Sequence, residues 1–190
     1  MTEFTIQEHW LTPGRRLQSP NQSSRANEKQ IELLVIHNIS LPPGEFGGPC
    51  IDELFCNRLD PGQHEYFRSI TNLRVSSHLL IDRKGVVTQY VAFNRKAWHA
   101  GESCYQGRGN CNEFSIGIEL EGTDFEPFTG QQYLTLGRVT DVLLKTYPGL
   151  SRERIVGHSD IAPGRKTDPG PCFDWPRFRA TLCGNPRAKV

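Results

Sequence analysis

Residues Phe114-Ser-Ile-Gly-Ile-Glu-Leu-Glu121 alternate apolar and polar side chains without a break. Successive side chains of a strand point to opposite faces. The run is therefore predicted to be a strand, with Phe114, Ile116, Ile118 and Leu120 facing a core and Ser115, Gly117, Glu119 and Glu121 on the other side. Such a strand requires sheet partners. Ile31 to Ile36, a β-branched run ending at His37, is one. Val75 to Ile81 and Val86 to Val91 flank the turn residues Asp82-Arg-Lys-Gly85 and predict a β-hairpin. Helices come between the strands. Thr129 and Gln132 fit a capping box, after which Leu136, Val139, Leu143 and Tyr147 recur at helical spacing until Pro148 stops the run. Asp174 can cap a last helix with Pro176 in its first turn and Trp175, Phe178 and Leu182 along one stripe. Strands and helices in this irregular order predict an α+β (mixed α/β) fold around one sheet.

The chain has 190 residues, the size of one domain. Residues 12–30 are rich in Pro, Ser, Asn, Gln and Arg and cannot bury enough apolar surface to order themselves. Residues 1–30 are accordingly expected to be an arm packed on a 31–183 domain, with 184–190 as a C-terminal tail. No apolar run exceeds four residues, far short of the roughly 18 needed to span a bilayer. Lys and Arg total 22 against 21 Asp and Glu, a net +1 that offers no field for nucleic acid or an anionic membrane. The first ten residues carry acidic side chains and no apolar stretch, which is not a secretory signal, so a cytoplasmic location is expected. The six cysteines then read as free thiols, and none forms a Cys-x-x-Cys pair. Internal repeats, Gly-x-Ser-x-Gly and P-loop motifs are absent.

Histidine is the informative residue type. His37 and His158 each follow a strand-like run and open an irregular Pro/Gly-rich loop, where an imidazole has little freedom left. That suits a metal ligand whose geometry is set before the ion arrives. Asp168, in Lys166-Thr-Asp-Pro-Gly170, lies ten residues beyond His158, and two histidines with a carboxylate make a catalytic zinc set with an open fourth position. The two histidines are 121 residues apart with no local signature joining them, so the spacing alone equally fits ordinary buried or surface histidines. His9 and His64 read as solvent-facing and His78 as lining the hairpin. Glu119 and Glu121 share one strand face, and alternation does not choose between them.

Four blocks resemble one family. Leu34-Val-Ile-His-Asn-Ile-Ser-Leu-Pro-Pro-Gly-Glu-Phe-Gly-Gly48 is similar to the first-ligand segment of the zinc-dependent N-acetylmuramoyl-L-alanine amidases of the peptidoglycan-recycling, AmpD type. Ala97-Trp-His-Ala-Gly101 resembles their substrate-side loop, Cys111 to Asp124 their catalytic-glutamate strand, and Gly157 to Gly170 their last ligand loop. The resemblance runs from about residue 31 to 179 and implies the sheet-with-helices fold shared with peptidoglycan-recognition proteins. It implies one zinc ion per chain on His37, His158 and Asp168, Glu119 as the catalytic carboxylate, and Lys166 beside the metal. The implied substrate is a soluble anhydromuropeptide, an N-acetyl-anhydromuramyl sugar joined through its lactyl group to a peptide beginning with L-alanine.

Trp98 offers a flat face for that sugar or packs its loop on the core, and Asn38 orients substrate or holds its turn. Arg74 and Arg108 pair with peptide carboxylates or remain solvated. His99 is not a ligand in the family and reads as at most a neighbour of the ligands. The chain departs from the family after Arg108, where Gly109-Asn110 replaces a more charged segment. Loops 41–49 and 60–74 are expected to cover the site. A metal-free binding module and a secreted wall-lytic amidase are the rival readings. The retained ligands argue against the first, and the missing export signal and anchoring repeats against the second. Nothing calls for an obligate partner, so a monomer is expected. The family further implies an indirect effect on β-lactamase induction.

Overall fold

The computed structural model describes residues 3–182. The 184–190 tail and Cys183 lie outside them. In chain order the strands are β1 (Thr5–Gln7), β2 (Trp10–Thr12), β3 (Arg15–Arg16), β4 (Gln22–Ser24), β5 (Leu33–Ile39), β6 (Leu79–Ile81), β7 (Val87–Gln89), β8 (Arg95–Ala97), β9 (Cys104–Tyr105), β10 (Arg108–Gly109), β11 (Ser115–Glu121) and β12 (Ile155–Gly157). The helices are α1 (Cys50–Phe55), α2 (Glu65–Ile70), α3 (Gly130–Thr146), α4 (His158–Ile161) and α5 (Trp175–Leu182). Six strands form one mixed sheet in the order β12-β5-β11-β6-β7-β3. Within it β6 and β7 run antiparallel, and the other neighbours pair in parallel. The central parallel strand β5 is Val/Ile/Leu-rich through Ile36, as strands covered on both sides commonly are, whereas β11 alternates apolar and polar residues.

One face of the sheet packs against α3 and α5. Leu34, Ile36, Ile116, Ile118 and Leu120 share a buried cluster with Leu136, Val139, Leu143, Phe178 and Leu182 from those helices. The α3 cap is the predicted one: Thr129 Oγ1 accepts from the Gln132 N–H at 3.1 Å and the Gln132 side chain accepts from the Thr129 N–H at 3.0 Å. At the start of α5, Asp174 Oδ1 accepts from the Arg177 N–H at 2.9 Å. The opposite face is covered by a second cluster around α1 and α2 and a third around Phe114, Cys111 and Ile161.

Several expectations need adjustment. His37 lies inside β5, which continues to Ile39 because β11 pairs with it as far as Glu121. Phe114 does not share the face of Ile116 and Ile118; its ψ of 10° follows the 3-10 turn Cys111–Glu113, so the alternation begins only at Ser115. All seven residues of β11 are buried, its polar face included. The hairpin is confined to β6 and β7 around the Asp82–Gly85 turn, where Gly85 adopts φ +79°.

Residues 3–30, expected to be an arm unable to order itself over 12–30, contain a β1–β2 hairpin, the edge strand β3 and the strand β4, which pairs with β8. Arg25 explains part of this order. Its buried guanidinium donates to the carbonyls of Phe93, Asn112, Glu113 and Ser115, clamping the segment to the start of β11. Burial lowers its pKa to about 10. The five described cysteines are free.

Candidate metal centre

Strand register builds the site. Glu119 on β11 pairs with His37 on β5, and Gly157 on β12 pairs with Ile36, so His158, the next residue, emerges beside His37. Three adjacent parallel strands thus deliver His37, Glu119 and His158 at their carboxyl ends, where open α/β sheets form their clefts. Asp168 arrives from the loop after α4; its carbonyl accepts from the Ser159 N–H at 3.0 Å. A β-carbon at Gly157 would lie 2.8 Å from Pro169 Cδ, so only glycine lets this loop close on β12.

His37 Nδ1, His158 Nδ1 and Asp168 Oδ2 form a triangle with edges of 3.0, 2.9 and 3.0 Å. The two rings are almost fully buried, and burial lowers the His37 pKa, favouring the neutral imidazole that a metal needs. His158 Nε2 lies 3.0 Å from the Ala100 carbonyl, which only accepts, so Nε2 carries the ring proton and Nδ1 presents a lone pair. With lone pairs on all three atoms, a triangle this tight is repulsive without a cation. Two imidazoles and a carboxylate fit a divalent ion at bond lengths of about 2.0–2.2 Å. The cluster is the one group of His, Cys, Asp and Glu among the described residues that meets the geometry for holding a metal.

Glu119 stands beside the triangle. It is buried, its Oε2 has no hydrogen-bond partner, and its pKa is pushed well above 4.5 by burial and then by the Asp168 charge, with Lys166 opposing. Glu121, the other carboxylate of this face, is committed elsewhere: it accepts from the Gly47 N–H at 2.5 Å and the Arg83 N–H at 3.2 Å. The strand face that left two carboxylates open is thereby divided into one structural group and one unpaired group.

Two hollows meet at Asp168. One, of about 380 Å³, is lined by His37, Glu119, His158 and Lys166 together with Leu54, Phe55, Tyr66, Ile70, Leu73 and Trp98. The other, of about 670 Å³, is lined by Asp124, Phe125, Glu126, Arg165 and Lys166. Asn38 borders both, and its Nδ2 donates to Asp124 Oδ1 at 2.7 Å. Trp98 Nε1 donates to Ser23 Oγ at 3.1 Å, leaving the ring on the first hollow. Both segments expected over the site border this first hollow, 41–49 through Leu41 and Pro43 and 60–74 through Tyr66, Ile70 and Leu73.

Arg74 and Arg108 are not brought to either hollow. Arg74 folds back on the carbonyls of Thr71 and Leu73, and Arg108 pairs with Glu32 at 3.0 Å in a separate depression. His9 and His64 are half-buried rather than solvent-facing: His9 Nδ1 meets the Tyr147 hydroxyl at 2.9 Å, and His64 Nδ1 accepts from the Tyr66 N–H to cap α2. His78 is fully buried and accepts from the Gly117 N–H at 3.0 Å. The residue that sequence reasoning undervalued is His99, whose Nδ1 lies 2.9 Å from His37 Nε2. Its signal was Gly117, a glycine inside a strand where a neighbour approaches closely.

Comparison with known proteins points the same way. Residues 27–171 match the family model described as N-acetylmuramoyl-L-alanine amidase. The chain is 57% identical over 173 residues to the 1,6-anhydro-N-acetylmuramyl-L-alanine amidase AmpD of Salmonella typhimurium, covering 91% of this chain and 92% of that protein. A crystal structure of a selenomethionine AmpD derivative superposes with a TM-score of 0.91 at 55% identity, over 93% of this chain and 98% of that one. The Escherichia coli amidase AmiD, solved with anhydro-N-acetylmuramic acid-L-Ala-D-γ-Glu-L-Lys, superposes at 0.60 with 28% identity, over 94% of this chain and 65% of that one. With a match across three quarters of its length and relatives aligned nearly end to end, the chain belongs to the N-acetylmuramoyl-L-alanine amidase family.

Proposed function

We propose that the protein hydrolyses the amide between the lactyl group of N-acetyl-anhydromuramic acid and L-alanine in soluble muropeptides, using one zinc ion held by His37, His158 and Asp168. The observation that carries this reading is the triangle of lone-pair donors beside an unpaired, buried Glu119. Two His and one carboxylate with a fourth position free are a catalytic zinc set. The substrate follows from the names of the AmpD relatives and from the molecule bound to AmiD.

Zinc, when bound, supplies Lewis acidity that polarises the scissile carbonyl and acidifies the attacking water. Glu119 accepts the proton of that water and delivers it to the departing alanine nitrogen. Lys166, on the rim of both hollows, donates to the oxygen that gains charge. Trp98 takes the sugar face, Asn38 orients the amide, and Arg74 reaches the peptide carboxylates by turning off its own carbonyls. Arg108 joins them by exchanging Glu32 for substrate, an exchange that a raised KM in Arg108→Ala detects. All these groups come from one chain, so a monomer is sufficient.

Mass analysis of peptide released from anhydromuropeptide and from intact peptidoglycan tests the assignment. Release from the fragment, abolished by chelation and restored by zinc, is expected. Equal release after exhaustive chelation overturns the metal's role, and binding without release makes the chain a recognition module. Action in the cytoplasm, and through it on β-lactamase induction, rests on the family resemblance; cell fractionation and a reporter in a deletion strain test it.

A further inference from the structure

Ser115, Gly117 and Glu119 succeed one another on the buried polar face of β11. Glu119 faces the triangle, and the other two residues serve His99. A β-carbon at Gly117 would fall 2.5 Å from His99 Cγ and 2.6 Å from its Nδ1, so the imidazole lies against the strand in the slot that the missing side chain leaves. Both ring nitrogens are in contact there. His99 Nδ1 is 2.9 Å from His37 Nε2, and His99 Nε2 is 3.1 Å from Ser115 Oγ. Ser115 Oγ in turn lies 2.6 Å from the Cys111 carbonyl.

Counting protons along this line determines each one. A serine hydroxyl has a single proton, and a carbonyl only accepts, so Ser115 donates to Cys111. Ser115 Oγ then offers only lone pairs to His99, whose Nε2 must carry the ring proton. His99 Nδ1 is left as an acceptor, His37 donates to it from Nε2, and His37 Nδ1 turns a bare lone pair toward His158 and Asp168. His158 reaches the same tautomer by a shorter route, through the Ala100 carbonyl. The two routes share an anchor: Asn112 Oδ1 accepts from the N–H groups of both His99 and Ala100, at 3.1 and 2.8 Å.

We infer that His99 and Ser115 are positioning residues, a relay seated on Gly117 that makes His37 present Nδ1 rather than Nε2 to the ion. A metal-bound histidine commonly donates its other N–H to a carboxylate or a carbonyl, which has no choice but to accept. An imidazole in that place has two tautomers, and Ser115 removes the wrong one. The proposal rests on the ligand set proposed above and adds to it what orients one of its members.

The test combines nitrogen NMR of histidine-labelled, zinc-loaded protein with zinc affinity by chelator competition. In the wild type, His99 is expected to carry its proton on Nε2 with Nδ1 bare; the opposite tautomer overturns the proposal. His99→Leu removes the acceptor and should weaken zinc binding by roughly 10–100-fold. His99→Asn places an oxygen near the former Nδ1 and should recover most of that loss, and Ser115→Ala should fall between wild type and His99→Leu. Equal losses in the Leu and Asn variants mark simple packing and overturn the relay. A wild type that binds no zinc overturns the ligand set instead. The NMR measurement decides the proposal even where a variant fails to fold.

Discussion

The two faces of β11 are equally buried and differ in how they are buried. On one, Ile116, Ile118 and Leu120 join a cluster with α3 and α5 in which volume and apolar character are what count. On the other, Ser115, Gly117, Glu119 and Glu121 meet particular atoms: a carbonyl and an imidazole, the flat of that imidazole, the cleft, and two backbone N–H groups. The first face holds the protein together, and the second aims side chains. The difference predicts that substitutions on the two faces separate stability from chemistry.

The largest separation is expected from His158→Ala. Losing one of three ligands should take zinc-dependent cleavage to background while the apolar cluster stays intact, with metal content and circular dichroism measured on the same sample. Ile118→Ala should do the reverse, lowering unfolding free energy by about 2–5 kcal/mol in denaturant melts while turnover per folded molecule is kept. A loss of turnover beyond the loss of folded protein would break the comparison. Lys166→Ala should cost about 2.7–4 kcal/mol of transition-state stabilisation, a fall in kcat of roughly a hundredfold or more, with zinc content and melting unchanged. Near-normal kcat would remove Lys166 from the reaction.

The smallest effect has the most informative sign. Glu119→Gln should stabilise the metal-free protein at neutral pH by on the order of 1 kcal/mol, read as a higher melting temperature, because a buried carboxylate without a partner is costly. The folded state holds the Glu119 proton to higher pH than the unfolded chain, so it binds more protons between the ordinary carboxylate value and the raised one. Stability therefore falls as pH rises through that window. The advantage of the glutamine variant should grow on going from acidic to neutral pH and vanish below the ordinary carboxylate range. A constant difference would show that Glu119 is not desolvated as described.

Period made the apolar half of the molecule legible. β11 and α3 could be read because each packs an apolar stripe at a regular interval on a common core. The β1–β2 hairpin escaped because Glu8 and His9 turn the chain with φ of 48° and 67°, left-handed values ordinarily signalled by Gly or Asn. β4 and β8 are short polar strands whose partner lies elsewhere in the sequence. At the site, residue pattern alone did not show that His37, His158 and Asp168 meet, since that depends on the register of β12, β5 and β11; the family resemblance is what implied it. The work of Ser115 was hidden by its size and its ordinariness.

The meeting of the two hollows at Asp168 has a consequence for traffic. They share Asn38, Ser40, Pro43, Lys166 and Asp168 as a common sill. If the proposed substrate lies across that sill, cutting its amide would leave the sugar and the peptide in different hollows. On that placement neither product would need to leave before the other.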